Sequence, residues 1–134
     1  MGLSLPNNPF ENVRFVDATQ FLIEGERYLW SLKSFSFKNE DRKCWCTFVW
    51  ETEILDEGEV YPAKVVETLD LNNSKLEWRF KEIFSALQVL DSSGRLGVEP
   101  NELAGRECEA TFTRYESKTR PGEFYPQLKG LQSI

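Results

Sequence analysis

GERYLWSLKSFSFK, residues 25–38, decides how the rest of the chain is read. Its apolar residues first recur on one phase, at Tyr28, Trp30 and Leu32, and then on the other, at Phe35 and Phe37. Successive side chains on a strand point to opposite faces, so a phase slip would turn an apolar face into solvent. One extra residue, a β-bulge, absorbs the slip and bends the strand sharply. The chain therefore opens with a bent strand.

The neighbouring stretches extend that pattern. NEDRK makes a polar turn, and KCWCTFVWETEIL follows with Cys44, Cys46, Phe48, Trp50 and Ile54 on one face. Trp45, Thr47, Val49 and Glu51 share the other face, which is the less apolar and is expected to point outward. DEGE turns the chain into VYPAKVVETLDL, a third strand with Tyr61, Ala63, Val65, Leu69 and Leu71 inward. NSKLEWRFKEIFSALQVLDSSG then reads as a helix. Ser74 and Glu77 have capping-box spacing, Leu76, Phe80, Ile83, Phe84, Leu87 and Leu90 form one stripe, and Gly94 marks the end. Trp78 lies nearly opposite the stripe. GRECEATFTRY gives a fourth strand with Cys108, Ala110 and Phe112 inward, and EFYPQLKGLQSI a fifth.

Strand, strand, strand, helix, strand, strand, with the first strand bent, is the order of a five-stranded OB-like barrel. The fold class expected is mainly β, with one α-helix between strands 3 and 4 plugging one end of the barrel. Another small α+β sheet with one packed helix is the plainer alternative. Residues 1–20, with Pro6, Asn7, Asn8 and Pro9, read as an extended N-terminal arm, and residues 21–134 as a single OB-like domain.

Composition narrows the chemistry. The 134-residue chain is 40% hydrophobic and 28% charged, an ordinary globular mixture. No apolar run approaches the ~20 residues of a membrane span, and the first residues lack the blocks of a secretory signal. A cytoplasmic setting follows as the expectation. The chain contains no histidine, so Ser-His and Cys-His nucleophile pairs are excluded. Cys44, Cys46 and Cys108 lack a fourth zinc ligand and read as small buried hydrophobes. No phosphate-cradling glycine motif occurs. The carboxylates of EILDEGEVY read as a solvated hairpin tip rather than a catalytic pair. The expectation is a protein that is not an enzyme and uses no cofactor.

Charge is distributed unevenly along the chain. Residues 27–50 carry five cations and two anions, and residues 113–134 four and two, whereas residues 51–60 carry five anions and no cation. The positive segments are the first–second and fourth–fifth hairpins, whose loops in an OB fold serve the binding side. Lys38, Arg42, Lys43, Lys118 and Arg120 would attract a phosphate backbone. Trp45, Tyr115 and Tyr125 would offer faces on which bases stack, and Lys64 and Lys129 occupy outward strand positions lining the groove. Each residue also has a plainer reading, since tip lysines guard sheet edges and cross-strand tyrosines stabilise sheets.

GERYLW, the helix KLEWRFKEIFSALQVL, ELAGRECEATFTRYES and the closing FYPQLKGL together resemble small phage-encoded single-stranded DNA-binding proteins. In that family a Gly-x-x-Tyr-like strand start precedes a helix, and an L-x-G-R/K strand and a terminal lysine-glycine strand follow it. The resemblance covers residues 20–134. It implies an OB-like fold, single-stranded DNA as partner, and a role in phage DNA replication or recombination in the cytoplasm of a bacterial host. Self-association and phage replication or recombination proteins are the further partners considered. The alternative is an interaction or self-assembly module without nucleic-acid binding, using Trp78, Val89, Val49 and Val66 as an apolar contact patch.

Overall fold

The computed structural model describes Pro9 and residues 16–134. Five strands, β1 (Arg27–Glu40), β2 (Lys43–Asp56), β3 (Glu59–Asp70), β4 (Glu107–Glu116) and β5 (Phe124–Gln132), form one antiparallel sheet. A single α-helix, α1 (Glu77–Ala86), lies between β3 and β4 in sequence. The order across the sheet is β3-β2-β1-β4-β5.

The phase slip in β1 organises this order. Residues Arg27 to Ser31 pair with β4, whereas Ser31 to Glu40 pair with β2, and the register shifts between Leu32 and Ser34. Lys33 is the extra residue, and β1 bends there from one neighbour to the other. On the inner face Trp30, Leu32, Phe48, Trp50, Phe112 and Leu128 are fully buried. Each is worth roughly 1.5–3 kcal/mol relative to exposure. Trp30 also donates its indole N–H to the Ala110 carbonyl, tying β1 to β4. Buried Thr52 donates to the Leu29 carbonyl at 2.7 Å, which satisfies its hydroxyl beside the bend. At the β2–β3 tip both Glu57 and Gly58 take positive φ, as a two-residue hairpin loop requires.

Several expectations are amended. Asn73, and not Ser74, supplies a side-chain cap, accepting from the Lys75 amide, but it caps a 3-10 turn, Ser74–Leu76, that leads into α1; α1 itself has no side-chain cap at Leu76. The helix ends at Ala86, and Gln88 just beyond it adopts a positive φ of 58°. Val89 and Leu87 beyond that break still reach the core. Leu71, expected inward, is exposed, since β3 ends one residue earlier at Asp70. Within the first twenty residues, positions 1–8 and 10–15 lie outside the described residues. Ala18–Phe21 forms a 3-10 turn capped by Asp17, with Ala18 buried against the core. An arm without regular structure therefore does not describe residues 18–20.

The expected closed barrel is not formed as a continuous ladder: β3 and β5 remain the two edges of the sheet. Each edge carries a proline, Pro62 and Pro126, that has no N–H to give. Across the gap the link is a side chain. Arg79 of α1, only 4% exposed, holds the Glu67 carboxylate of β3 through two bonds of 2.6 Å and donates to the Leu128 carbonyl of β5 at 2.7 Å. It also reaches Glu82 one turn along its own helix. Burial by itself would push the Arg79 pKa down, but Glu67 and Glu82 outweigh it and hold the guanidinium above its ordinary value. The guanidinium fork matches a carboxylate bidentately, which a lysine could not do.

Candidate nucleic-acid interface

Trp45 anchors one end of the candidate surface. Alternation on β2 sends Cys44 and Cys46 inward and Trp45 outward, where it is half-buried. Lys38 is its cross-strand partner on β1, and Lys43 Nζ sits 5.0 Å from the centre of its ring. A cation over an indole face is worth about 0.5–1 kcal/mol at an exposed site. Arg42 lies in the turn, and its carbonyl accepts from the Asn72 side chain at 3.0 Å. With Glu40 and Asp41 these residues frame a shallow hollow beside Trp45. The Asp70 carboxylate, accepting from the Cys44 and Asn72 amides, fastens the end of β3 to the start of β2.

The outward face continues from Trp45 across two strands. Thr47 and Thr68 are cross-strand partners with hydroxyls 3.2 Å apart, and Val49 faces Val66 in the next pair. Val66 and Thr68 then line a hollow of about 200 Å³ with Tyr115 and Gln127, where the β3 and β5 edges approach each other. Tyr115 and Tyr125 are directly opposite on β4 and β5, with ring centres 5.8 Å apart. The Tyr125 hydroxyl donates to Glu123 at 2.8 Å, and that bond to a carboxylate holds its pKa above the ordinary value. Arg120 Nη1 lies 3.8 Å from the same carboxylate, and Lys118 is exposed in the turn.

Eight of the ten candidate residues fall into two groups rather than one, and two stand outside both. Lys38, Arg42, Lys43 and Trp45 gather at the β1–β2 turn; Tyr115, Lys118, Arg120 and Tyr125 gather at the β4–β5 turn. The two turns lie at opposite ends of β1, because β2 folds back past Glu40 while β4 runs past Arg27. On the outward face Thr47 and Thr68 lead from Trp45 toward Val66 and the hollow beside Tyr115. Lys64 stands apart, 4.0 Å from Glu51, which also pairs with Lys33. Lys129 lies opposite Thr111, about 13 Å along β5 from Tyr125. Arg114, in the same cationic segment, is turned inward: it covers the Phe112 ring and donates to the Thr19 carbonyl.

A second feature was not read from sequence. The inner face of the β1–β2 hairpin is incompletely covered, leaving an apolar groove of about 570 Å³ floored by Cys44 and Cys46 and walled by Phe35, Phe37, Phe80 and Phe84. Phe37 is 54% exposed there. Alternation assigned these residues to the interior, and nothing in the pattern shows that α1 stops short of covering them.

No group of three or more Cys, Asp or Glu side chains is disposed to hold a metal ion among the described residues. All three cysteines are free and buried, and burial pushes the Cys46 and Cys108 thiols up, Cys108 to about 11. Cys46 and Cys108 therefore keep their protons at neutral pH, and all three buried side chains serve as apolar lining. Among the described residues no helix is long and apolar enough to cross a membrane. A scan against protein-family models finds no match to this chain, and a search of curated proteins finds no significant relative.

Proposed function

We propose that this protein binds single-stranded DNA without catalysis and with little sequence preference. Its sheet is read as a partly open OB-like barrel with α1 at one end. In keeping with the family resemblance, the role assigned is phage DNA replication or recombination in the host cytoplasm. One observation carries the reading. A half-buried tryptophan flanked by two lysines sits on the same outward face as a tyrosine pair beside a cationic turn. A strip of threonines and valines joins the two ring groups and offers no fixed pattern of base-reading groups. Stacked bases would gain roughly 1–3 kcal/mol per ring, and Lys38, Lys43, Lys118 and Arg120 would meet phosphates.

The test is a fluorescence titration with oligo-dT at two salt concentrations. Trp30 and Trp50 are fully buried and Trp78 lies on α1, so quenching by a strand is expected to come chiefly from Trp45. Quenching should weaken steeply with salt, since each neutralised phosphate releases about one counterion. It should be largely absent in Trp45→Ala. Absence of any quenching or mobility shift at low salt, with the far-UV spectrum intact, would end the proposal.

A second reading, an interaction module, draws on different residues. Of its four apolar candidates Val89 is buried, but Trp78 and Val66 are exposed, and the open groove adds Phe37 and Leu71. Concentration-dependent light scattering without DNA affinity would favour it.

A further inference from the structure

Three of the candidate cations lie beside carboxylates. Lys38 Nζ is 3.7 Å from Glu40, Lys64 Nζ 4.0 Å from Glu51, and Arg120 Nη1 3.8 Å from Glu123. Glu123 is engaged twice, because it also accepts the Tyr125 hydroxyl at 2.8 Å. One carboxylate thus holds both a phosphate-seeking guanidinium and a ring on which a base would stack. The surrounding turn is ordered by its own bonds. Gly122 donates to Glu116 at 2.9 Å, the Arg120 amide donates to the Ser117 hydroxyl at 3.1 Å, and the Ser117 amide donates to the Glu123 carbonyl.

Resting on the single-stranded DNA reading, we infer that Glu123 is a built-in competitor for that strand. It occupies the anion position of Arg120 until a backbone phosphate displaces it. A carboxylate and a phosphate both present anionic oxygens to a guanidinium, so the two compete for Arg120. With Arg120 and Glu123 mostly solvent-exposed, the pair is weak and exchangeable rather than a lock. Displacement leaves a freed anion beside a polyanion, so the protein binds more weakly than its cation count alone would give. Glu40 plays the same part for Lys38 with a single contact. This gives physical sense to an acidic chain carrying cationic turns: the turns are tempered locally, ring by ring, and the surface does not hold strands indiscriminately.

Glu123→Gln keeps the shape and a hydrogen-bond acceptor for Tyr125 while removing the competing charge. Glu53→Gln, on β2 and outside both ring groups, removes the same net charge elsewhere. Oligo-dT affinity is expected to rise about three- to tenfold in Glu123→Gln, with a steeper salt dependence by up to about one counterion. Glu40→Gln should give a smaller rise, and Glu53→Gln under twofold. If wild-type protein binds and Glu123→Gln matches Glu53→Gln, or binds more weakly than wild type, the competitor role is wrong while DNA binding stands. If Glu123→Gln binds measurably where wild type is at the detection limit, the role is supported. If neither binds at low salt, the DNA reading itself fails and takes this inference with it.

Discussion

Arg79 and Arg120 each face carboxylates, and the two sites behave as different chemistry. Arg79 is sealed between α1, β3 and β5, with Glu67, Glu82 and the Leu128 carbonyl all within hydrogen-bond distance. Arg120 sits in a solvated turn with one carboxylate 3.8 Å away. In the first, removing water raises the cost of an unpaired charge until the contact becomes part of the fold. In the second, water competes for both ions, and the contact is free to be exchanged for a ligand. Identical residue types therefore hold the fold together where they are buried and remain available for binding where they are solvated.

The largest effect is expected from breaking the buried site. Arg79→Met leaves Glu67 without its bidentate partner and the Leu128 carbonyl without a donor, and should cost about 3 kcal/mol of stability. Urea unfolding should show a lower midpoint at unchanged slope. The exposed counterpart, Arg120→Met, should shift the midpoint by less than about 0.5 kcal/mol. Equal losses would show that burial does not separate the two arginines.

Burial on the inner face of β4 should slow the thiol chemistry of Cys108 by about two orders of magnitude relative to the unfolded chain. Cys108 is fully buried and its pKa is pushed up to about 11 from an ordinary value of 9, with desolvation as the main cause. At pH 8 Cys108 in the folded protein should alkylate roughly a hundredfold more slowly than in the urea-unfolded chain, counting thiolate fraction alone, as read by mass spectrometry of the Cys108 peptide. The stability sign follows from the raised value. The contribution is complete below pH 9, where both states keep the proton, and is lost as pH climbs toward 11, where only the unfolded chain gives it up. Cys108→Ala should flatten that decline; an unchanged decline would place its cause elsewhere.

Trp45 and Trp78 sharpen the same contrast on the surface. Trp78 is exposed on α1, whereas Trp45 lies on the outward sheet face with Lys43 above its ring and Lys38 across the strand. Trp45→Ala should weaken oligo-dT binding about tenfold or more, within the 1–3 kcal/mol of one stacked base, and Trp78→Ala should leave it within twofold. The reverse order would move the interface to α1.

Much of the framework was legible because it depends on alternation. The slip between Leu32 and Phe35 marks the bend of β1, and the Cys44–Trp50 alternation marks the inner face of β2. What escaped depends on distance in space. Glu67 falls on the inward phase between Val65 and Leu69, and an inward carboxylate demands a buried cation; that signal was present, but nothing local names Arg79 as the cation. The helix end escaped because LQVL stays apolar past the left-handed Gln88, so composition alone carries the helix too far. At the candidate interface the residue types were visible while their partners were not. Whether Arg120 meets Glu116 or Glu123 is settled by the turn, where Glu116 is already occupied by the Gly122 amide. The expectation that both turns flank one trough also outran the sequence, since register puts them at opposite ends of β1.

The smallest effect tests whether the β4–β5 turn contributes at all from that distance. Lys118→Ala/Arg120→Ala removes two exposed cations, one of them already paired with Glu123, so net attraction for a strand falls by less than two full charges. Affinity for oligo-dT should drop only a few-fold at moderate salt, and the slope of log affinity against log salt should shrink by about one rather than two. Against a Glu123→Gln background the same double substitution should cost the full two, because the competing carboxylate is gone. A slope change of two in both backgrounds would mean that Arg120 and Glu123 are not paired in solution, and the difference between the buried and the exposed arginine would then lie in packing alone.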